Sequence, residues 1–114
     1  MTVTIFDKII SKEIPSDIIY EDDQYLAFSD INPQAPVHIL IIPKKRIPTI
    51  NDLESSDGKT IGEMILIAKN IAKNKQIDKD GYRLVFNCNA HGRQSVFHIQ
   101  LHLLGGGQLN RAAG

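Results

Sequence analysis

Three polar side chains, His98, Gln100 and His102, recur at every second position of Val96–Leu104, and Phe97, Ile99, Leu101 and Leu103 alternate with them. Period two is the signature of a strand, so the spacing predicts one face carrying the two imidazoles and the carboxamide and an opposite face that is apolar. Imidazole can serve as acid, base, nucleophile or metal ligand near neutral pH. A solvated edge strand would be served equally well by Lys, Glu or Thr, so two of the chain's four histidines on one short stripe favour a built polar site. A metal centre on this stripe meets a distance problem. Residues four apart on a strand are separated by about 13 Å, whereas Zn–N bonds are about 2.0–2.1 Å. No cysteine or carboxylate flanks the pair, so neither a metal nor any other cofactor is expected. His91 lies in the polar loop Asn89–Ser95 and receives no role.

The elements needed to hold this stripe are readable around it. Thr4 caps a short helix whose apolar positions are Ile5, Phe6, Ile9 and Ile10, ended by Pro15. Ile18–Tyr20 and Tyr25–Phe28 flank Glu21-Asp22-Asp23-Gln24 and predict a hairpin. After a turn with two prolines, Asn32–Pro36, the nearly continuous apolar run Val37–Ile42 predicts a central strand ended by Pro43. Ser55, Ser56 or Asp57 caps a longer helix bearing Ile61, Met64, Ile65, Ala68, Ile71 and Ala72 at spacings of three and four. Gly81 separates it from a strand over Tyr82–Cys88, and Gly105–Gly107 end the last strand. This order favours an antiparallel α+β sheet. No G-x-G-x-x-G opens a helix and no Walker pattern is present, which disfavours a Rossmann or P-loop nucleotide fold.

Composition narrows the function. The 114 residues suit one domain, 1–114. Thirteen basic residues balance thirteen acidic ones, which removes the general electrostatic basis for gripping nucleic acid, and no sequence-specific nucleic-acid partner is expected. Residues 1–57 hold 5 basic and 10 acidic side chains and residues 58–114 hold 8 and 3, a patterning within one domain. No apolar run reaches the roughly 20 residues of a membrane span. The start, with Asp7 and no basic stretch ahead of an apolar core, does not read as a secretory signal. A single cysteine, Cys88, fits a reducing compartment, so the expected location is the cytoplasm and no membrane partner is expected.

Gln94-Ser95-Val96-Phe97-His98-Ile99-Gln100-Leu101-His102-Leu103-Leu104-Gly105-Gly106 resembles the H-x-H-x-H-x-x signature of the histidine-triad (HIT) family, in its Hint branch. The resemblance continues through Thr4–Ile10, Tyr20–Asp23, Leu26–Phe28, Asp30–His38, Ile42–Lys45, Gly81–Arg83 and Asn87, nearly the whole chain in order. It implies a five-stranded antiparallel sheet with two helices that dimerises into a ten-stranded sheet, and a purine nucleoside phosphoramidase that binds mononucleotides such as AMP and GMP. Residue by residue, it implies that Asp30 holds the ribose hydroxyls and that Ile5, Phe6, Ile9, Phe28 and Ile31 line the base pocket. Asn87, Gln94 and Ser95 would contact the phosphate region together with Gln100 and His102. His38 would orient the central member of the triad. His38, Ser95, His98, Gln100 and His102 form the implied catalytic set.

One departure changes the chemistry. In the family the middle triad histidine attacks phosphorus and forms a covalent phosphoramidate that water cleaves. Gln100 occupies that place, and a carboxamide is a poor nucleophile with no useful pKa near 7. Moving His102 to the middle would put Leu104 third and displace the glycines. Arg93 stands where glycine is usual, and the tail Gly107–Gly114 lacks the family's aromatic and paired prolines. Two functions follow: a phosphoramidase-class nucleotide hydrolase weakened at Gln100, or a non-catalytic nucleotide-binding or protein-interaction protein.

Overall fold

The computed structural model describes residues 3–114. Helix α1 spans Ile5–Ile10, strand β1 Ile18–Glu21, β2 Tyr25–Ser29, β3 Val37–Pro43, helix α2 Gly58–Asn74, β4 Tyr82–Val85 and β5 Leu101–Gly105. The strands form one antiparallel sheet in the order β1-β2-β3-β5-β4. β3 is therefore central, which is why its sequence is an almost unbroken apolar run.

The two faces of the sheet hold different layers. Tyr25, Ala27, Ile39, Ile41, Leu101 and Leu103 pack with Met64, Ala68, Ile71 and Ala72 of α2. Leu26, Phe28, Leu40 and Ile42 point to the other face and pack with Phe6 and Ile9 of α1. The alternation along β2 and β3 thus decides which residues share a layer with α1, and His38 belongs to that set.

Several expectations are corrected. Helix α1 ends at the cap Ser11, with Lys12 in the left-handed region at φ 67°, well before Pro15. The Lys12 and Glu13 amides donate to Ile9 and Lys8 carbonyls and close the helix. Helix α2 begins at Gly58 with no side-chain cap bond, because Asp57 spends its carboxylate on Lys45 Nζ (2.8 Å) and the Glu54 amide (2.9 Å). Its predicted core member Ile65 is 42% exposed. The last strand begins at Leu101 rather than Val96. Ile41 pairs with Leu101, so residues further back would have to pair with Ile42 and Pro43, and Pro43 has no N–H to offer. The chain bends away, and the Ile99 amide donates instead to Ile47 O at 2.7 Å. Phe97, assigned by alternation to the apolar face, is 46% exposed as a result. β4 stops at Val85, paired with His102, one residue short of the start of β5 at Leu101.

Candidate functional site

The site is built on the α1 face of the sheet. β3 supplies His38, β5 supplies His102, and the segment leading into β5 supplies His98 and Gln100. His38 and His102 lie diagonally across the β3–β5 ladder, and His38 Nε2 stands 2.9 Å from His102 Nδ1. The ring thus engages the third member of the motif, where the resemblance had it orient the middle one; Gln100 Oε1 is buried and has no hydrogen-bond partner among the described residues.

The direction of that bond follows from the backbone. The Gln34 amide donates to His38 Nδ1 at 3.0 Å. Nδ1 is therefore an acceptor, and a neutral His38 carries its proton on Nε2. Nε2–H then donates to His102 Nδ1, which leaves the proton of a neutral His102 on its own Nε2. Burial lowers the pKa of both rings, His38 repels a second charge on His102, and Asp30 opposes the effect on each. The product is a fixed chain of neutral donors ending at His102 Nε2–H.

Asp30, just after β2, places Oδ2 3.5 Å from His38 Nε2, and its Oδ1 accepts the Asn32 amide at 2.8 Å. Among the described residues, Asp30, His38 and His102 bring ligand atoms within 4.8 Å of one another. The surroundings of His38 have the wrong sense for a metal. A ligating histidine donates its second ring N–H to an acceptor, whereas His38 Nδ1 faces the N–H of Gln34. Coordination through Nε2 would require that bond to break.

His98 is fully buried, and its Nε2 donates to Pro43 O at 2.7 Å. That bond makes it an anchor between the end of β3 and the segment before β5. Phe6, Ile9 and Phe28 are buried together, Phe6 edge-on to Phe28 with centroids 5.5 Å apart, whereas Ile5 is 44% and Ile31 91% exposed. The loop before the motif is internally tied. Asn87 Nδ2 donates to Gly92 O (2.7 Å). Gln94 is buried: its oxygen accepts the Asn89 amide, and its nitrogen donates to Pro48 O and Val96 O. Gln94 therefore shapes the loop with the groups the resemblance assigned to phosphate. Ser95 is exposed, as is Arg93, which adopts φ 64° in the place where the resemblance leads one to expect glycine. Sequence reasoning missed Gln34, whose backbone amide sets the histidine tautomers, and no side-chain pattern signals such a role.

Residues 11–109 match the family model of the HIT domain. The chain is 57% identical over 103 residues to the purine nucleoside phosphoramidase of Escherichia coli K12, covering 90% of this chain and 87% of that one. It is 52% identical over 109 residues to a 14 kDa zinc-binding protein of Zea mays, covering 94% of this chain and 84% of that one. A HIT family hydrolase from Legionella pneumophila superposes with a TM-score of 0.95 at 48% identity, covering 98% of this chain and all of that one.

Proposed function

The chain belongs to the HIT family, and from that membership we propose that it binds purine mononucleotides such as AMP and GMP on a nucleoside phosphoramidase scaffold and turns over P–N substrates only slowly. The observation that carries this reading is the donor chain ending at His102 Nε2–H beside Gln100, where the family has a nucleophilic imidazole. Phe6, Ile9 and Phe28, with Ile5 and Ile31 at the mouth, form the apolar wall for the base. Asp30 accepts the ribose hydroxyls. His102 Nε2–H, the Gln100 amide, Ser95 and Asn87 surround the phosphate as neutral donors. His98 holds this frame in place.

Slow hydrolysis on such a frame uses water as the nucleophile. Water attacks phosphorus and the P–N bond breaks; the proton shed by the water ends on the departing amine, while His102 keeps its Nε2–H and donates it as a hydrogen bond to a phosphoryl oxygen. No covalent protein intermediate forms. Zinc binding, named in the maize relative, is not carried over, because the Gln34 amide opposes a metal on His38.

A homodimer and a cytoplasmic, reducing setting belong to the same reading. Among the described residues, the outer edge of β4 has no partner strand. A concavity of about 1240 Å³ lies between β4 and the tail, against Tyr82, Arg83 and Arg111, where a second copy would sit. Cys88 is free, and no helix among the described residues is long and apolar enough to cross a membrane.

Calorimetric titration with AMP and with 2′,3′-dideoxy-AMP tests the reading. AMP should bind more tightly than the dideoxy form, and adenosine phosphoramidate should be cleaved without a burst. Equal affinities would remove Asp30 from the ribose, and a trapped protein–AMP adduct would reveal another nucleophile.

A further inference from the structure

Asp7 stands outside every role assigned above, yet it touches three parts of the molecule. Its Oδ2 accepts the Thr4 amide (2.8 Å) and the Arg46 guanidinium (Nη1, 2.7 Å). Its Oδ1 lies 3.8 Å from His98 Nδ1, a fully buried nitrogen without a hydrogen-bond partner among the described residues. Asp7 and Arg46 are themselves about three-quarters shielded, with side-chain exposures of 27% and 20%.

Helix α1 needs such a tie. Six residues are far below the roughly 12–15 at which an isolated helix holds together. Its docking rests on Phe6 and Ile9, and Phe6 is wedged edge-on between Phe28 (5.5 Å) and the His98 ring (6.0 Å). The side chain next to Phe6 is Asp7, which grips Arg46 just beyond β3. That grip fixes the helix on the strand whose last carbonyl, Pro43 O, also holds His98.

We propose that Asp7, with Arg46, is a positioning residue of the nucleotide site: it latches α1 to the end of β3 and seats Phe6 against His98 and Phe28, so that the base pocket is formed before ligand arrives. The inference rests on the nucleotide reading above, because only there do Phe6 and Ile9 face a base. Asp7 touches no ligand. Its loss acts through the fraction of molecules with α1 docked, since apparent affinity falls in proportion to the competent population.

The test uses the full chain and AMP, at a temperature well below unfolding. Asp7→Ala and Arg46→Ala should each raise the AMP Kd roughly tenfold, as expected if about one molecule in ten keeps α1 seated. The Asp7→Ala/Arg46→Ala double variant should be no weaker than either single one. Amide exchange should quicken in α1 while α2 stays protected. Asp7→Asn, whose side-chain oxygen can still accept from both the Arg46 guanidinium and the Thr4 amide, should recover most of the affinity. The His98 ring, followed by NMR, should titrate at lower pH in Asp7→Ala, because the carboxylate facing Nδ1 is gone while Arg46 and the Pro43 carbonyl remain. Unchanged AMP affinity in Asp7→Ala overturns the inference. So does faster exchange spread equally over α1 and α2, which would make Asp7 a contributor to global stability alone. Failure of the wild-type chain to bind AMP would instead overturn the nucleotide reading, and this inference with it.

Discussion

Gln100 fills the space of an imidazole, but the lone pair of its nitrogen is delocalised into the carbonyl, so it can donate to a phosphate oxygen and cannot attack phosphorus. Its neighbours are intact: His102 presents Nε2–H through the tautomer chain set by the Gln34 amide and His38. Gln100→His should therefore raise phosphoramidate turnover by roughly three or more orders of magnitude, the scale on which single nucleophiles act. It should also produce a burst of amine release, measured by stopped flow. A variant that binds AMP yet stays inert would place the block in Arg93 or the tail. Asp30→Ala should weaken AMP binding by about 1.5–3 kcal/mol, the range for a hydrogen bond to a charged group, checked by calorimetry. The stripe of His98, Gln100 and His102 was legible from its alternation and its two imidazoles, whereas Asp30 followed from the family resemblance alone. The His38–His102 bond was not legible, because it depends on the register of β3 against β5, two segments more than sixty positions apart.

The elements divide by how local their signals are. Helix α1 was legible from Thr4 and the spacing of Ile5, Phe6, Ile9 and Ile10, and Asp7 completes the cap reciprocally within one turn. β3 was legible from its apolar run. The early start assigned to the last strand rests on alternation alone: polar and apolar residue types alternate before Leu101, but His98, Ile99 and Gln100 are all buried and the backbone partner ends at Pro43, a limit set by the neighbouring strand. The loop from Asn87 to Ser95 is likewise fixed by contacts that no periodicity announces. A Cβ on Gly92 would sit 2.5 Å from Cys88 O and 2.8 Å from Cys88 N, both backbone atoms that cannot move independently of the turn. Gly92→Ala should thus push the loop open, costing about 1–3 kcal/mol as overpacking does, and should break the Asn87–Gly92 bond. Denaturant unfolding reads the first effect. A matched loss of AMP affinity reads the second, and an unchanged affinity would separate this loop from the phosphate region.

At the scale of the whole molecule, opposite charge in the two halves leaves no net repulsion between copies, and the open β4 edge offers a place to join. Sedimentation at micromolar concentration should give a dimer, and a persistent monomer would rule out a shared sheet. The response to acid follows from burial. His38, His98 and His102 all lie below the usual 6.5 of an imidazole, because the interior disfavours their charged form. On unfolding, each regains its ordinary proton affinity, so between the folded and the unfolded values the unfolded chain binds more protons. Stability therefore rises with pH across that window: the contribution is complete above about 6.5 and is lost as pH falls through the folded values. The carboxylates act lower down. Asp7 is held below 3.8 chiefly by the Thr4 amide, Asp57 chiefly by Lys45, and Glu21 is held below 4.5 chiefly by Lys12. Their contributions are present above those ordinary values and disappear as pH falls through the depressed ones. Urea midpoints should accordingly stay level from mildly alkaline to neutral pH. They should begin to fall below about 6.5 as the imidazoles charge, and fall again below about 4 as the carboxylates neutralise. A midpoint that stayed flat between neutrality and pH of about 5 would mean that the three rings take up protons inside the fold as readily as outside it, and the chain of neutral donors leading to His102 would have to be abandoned.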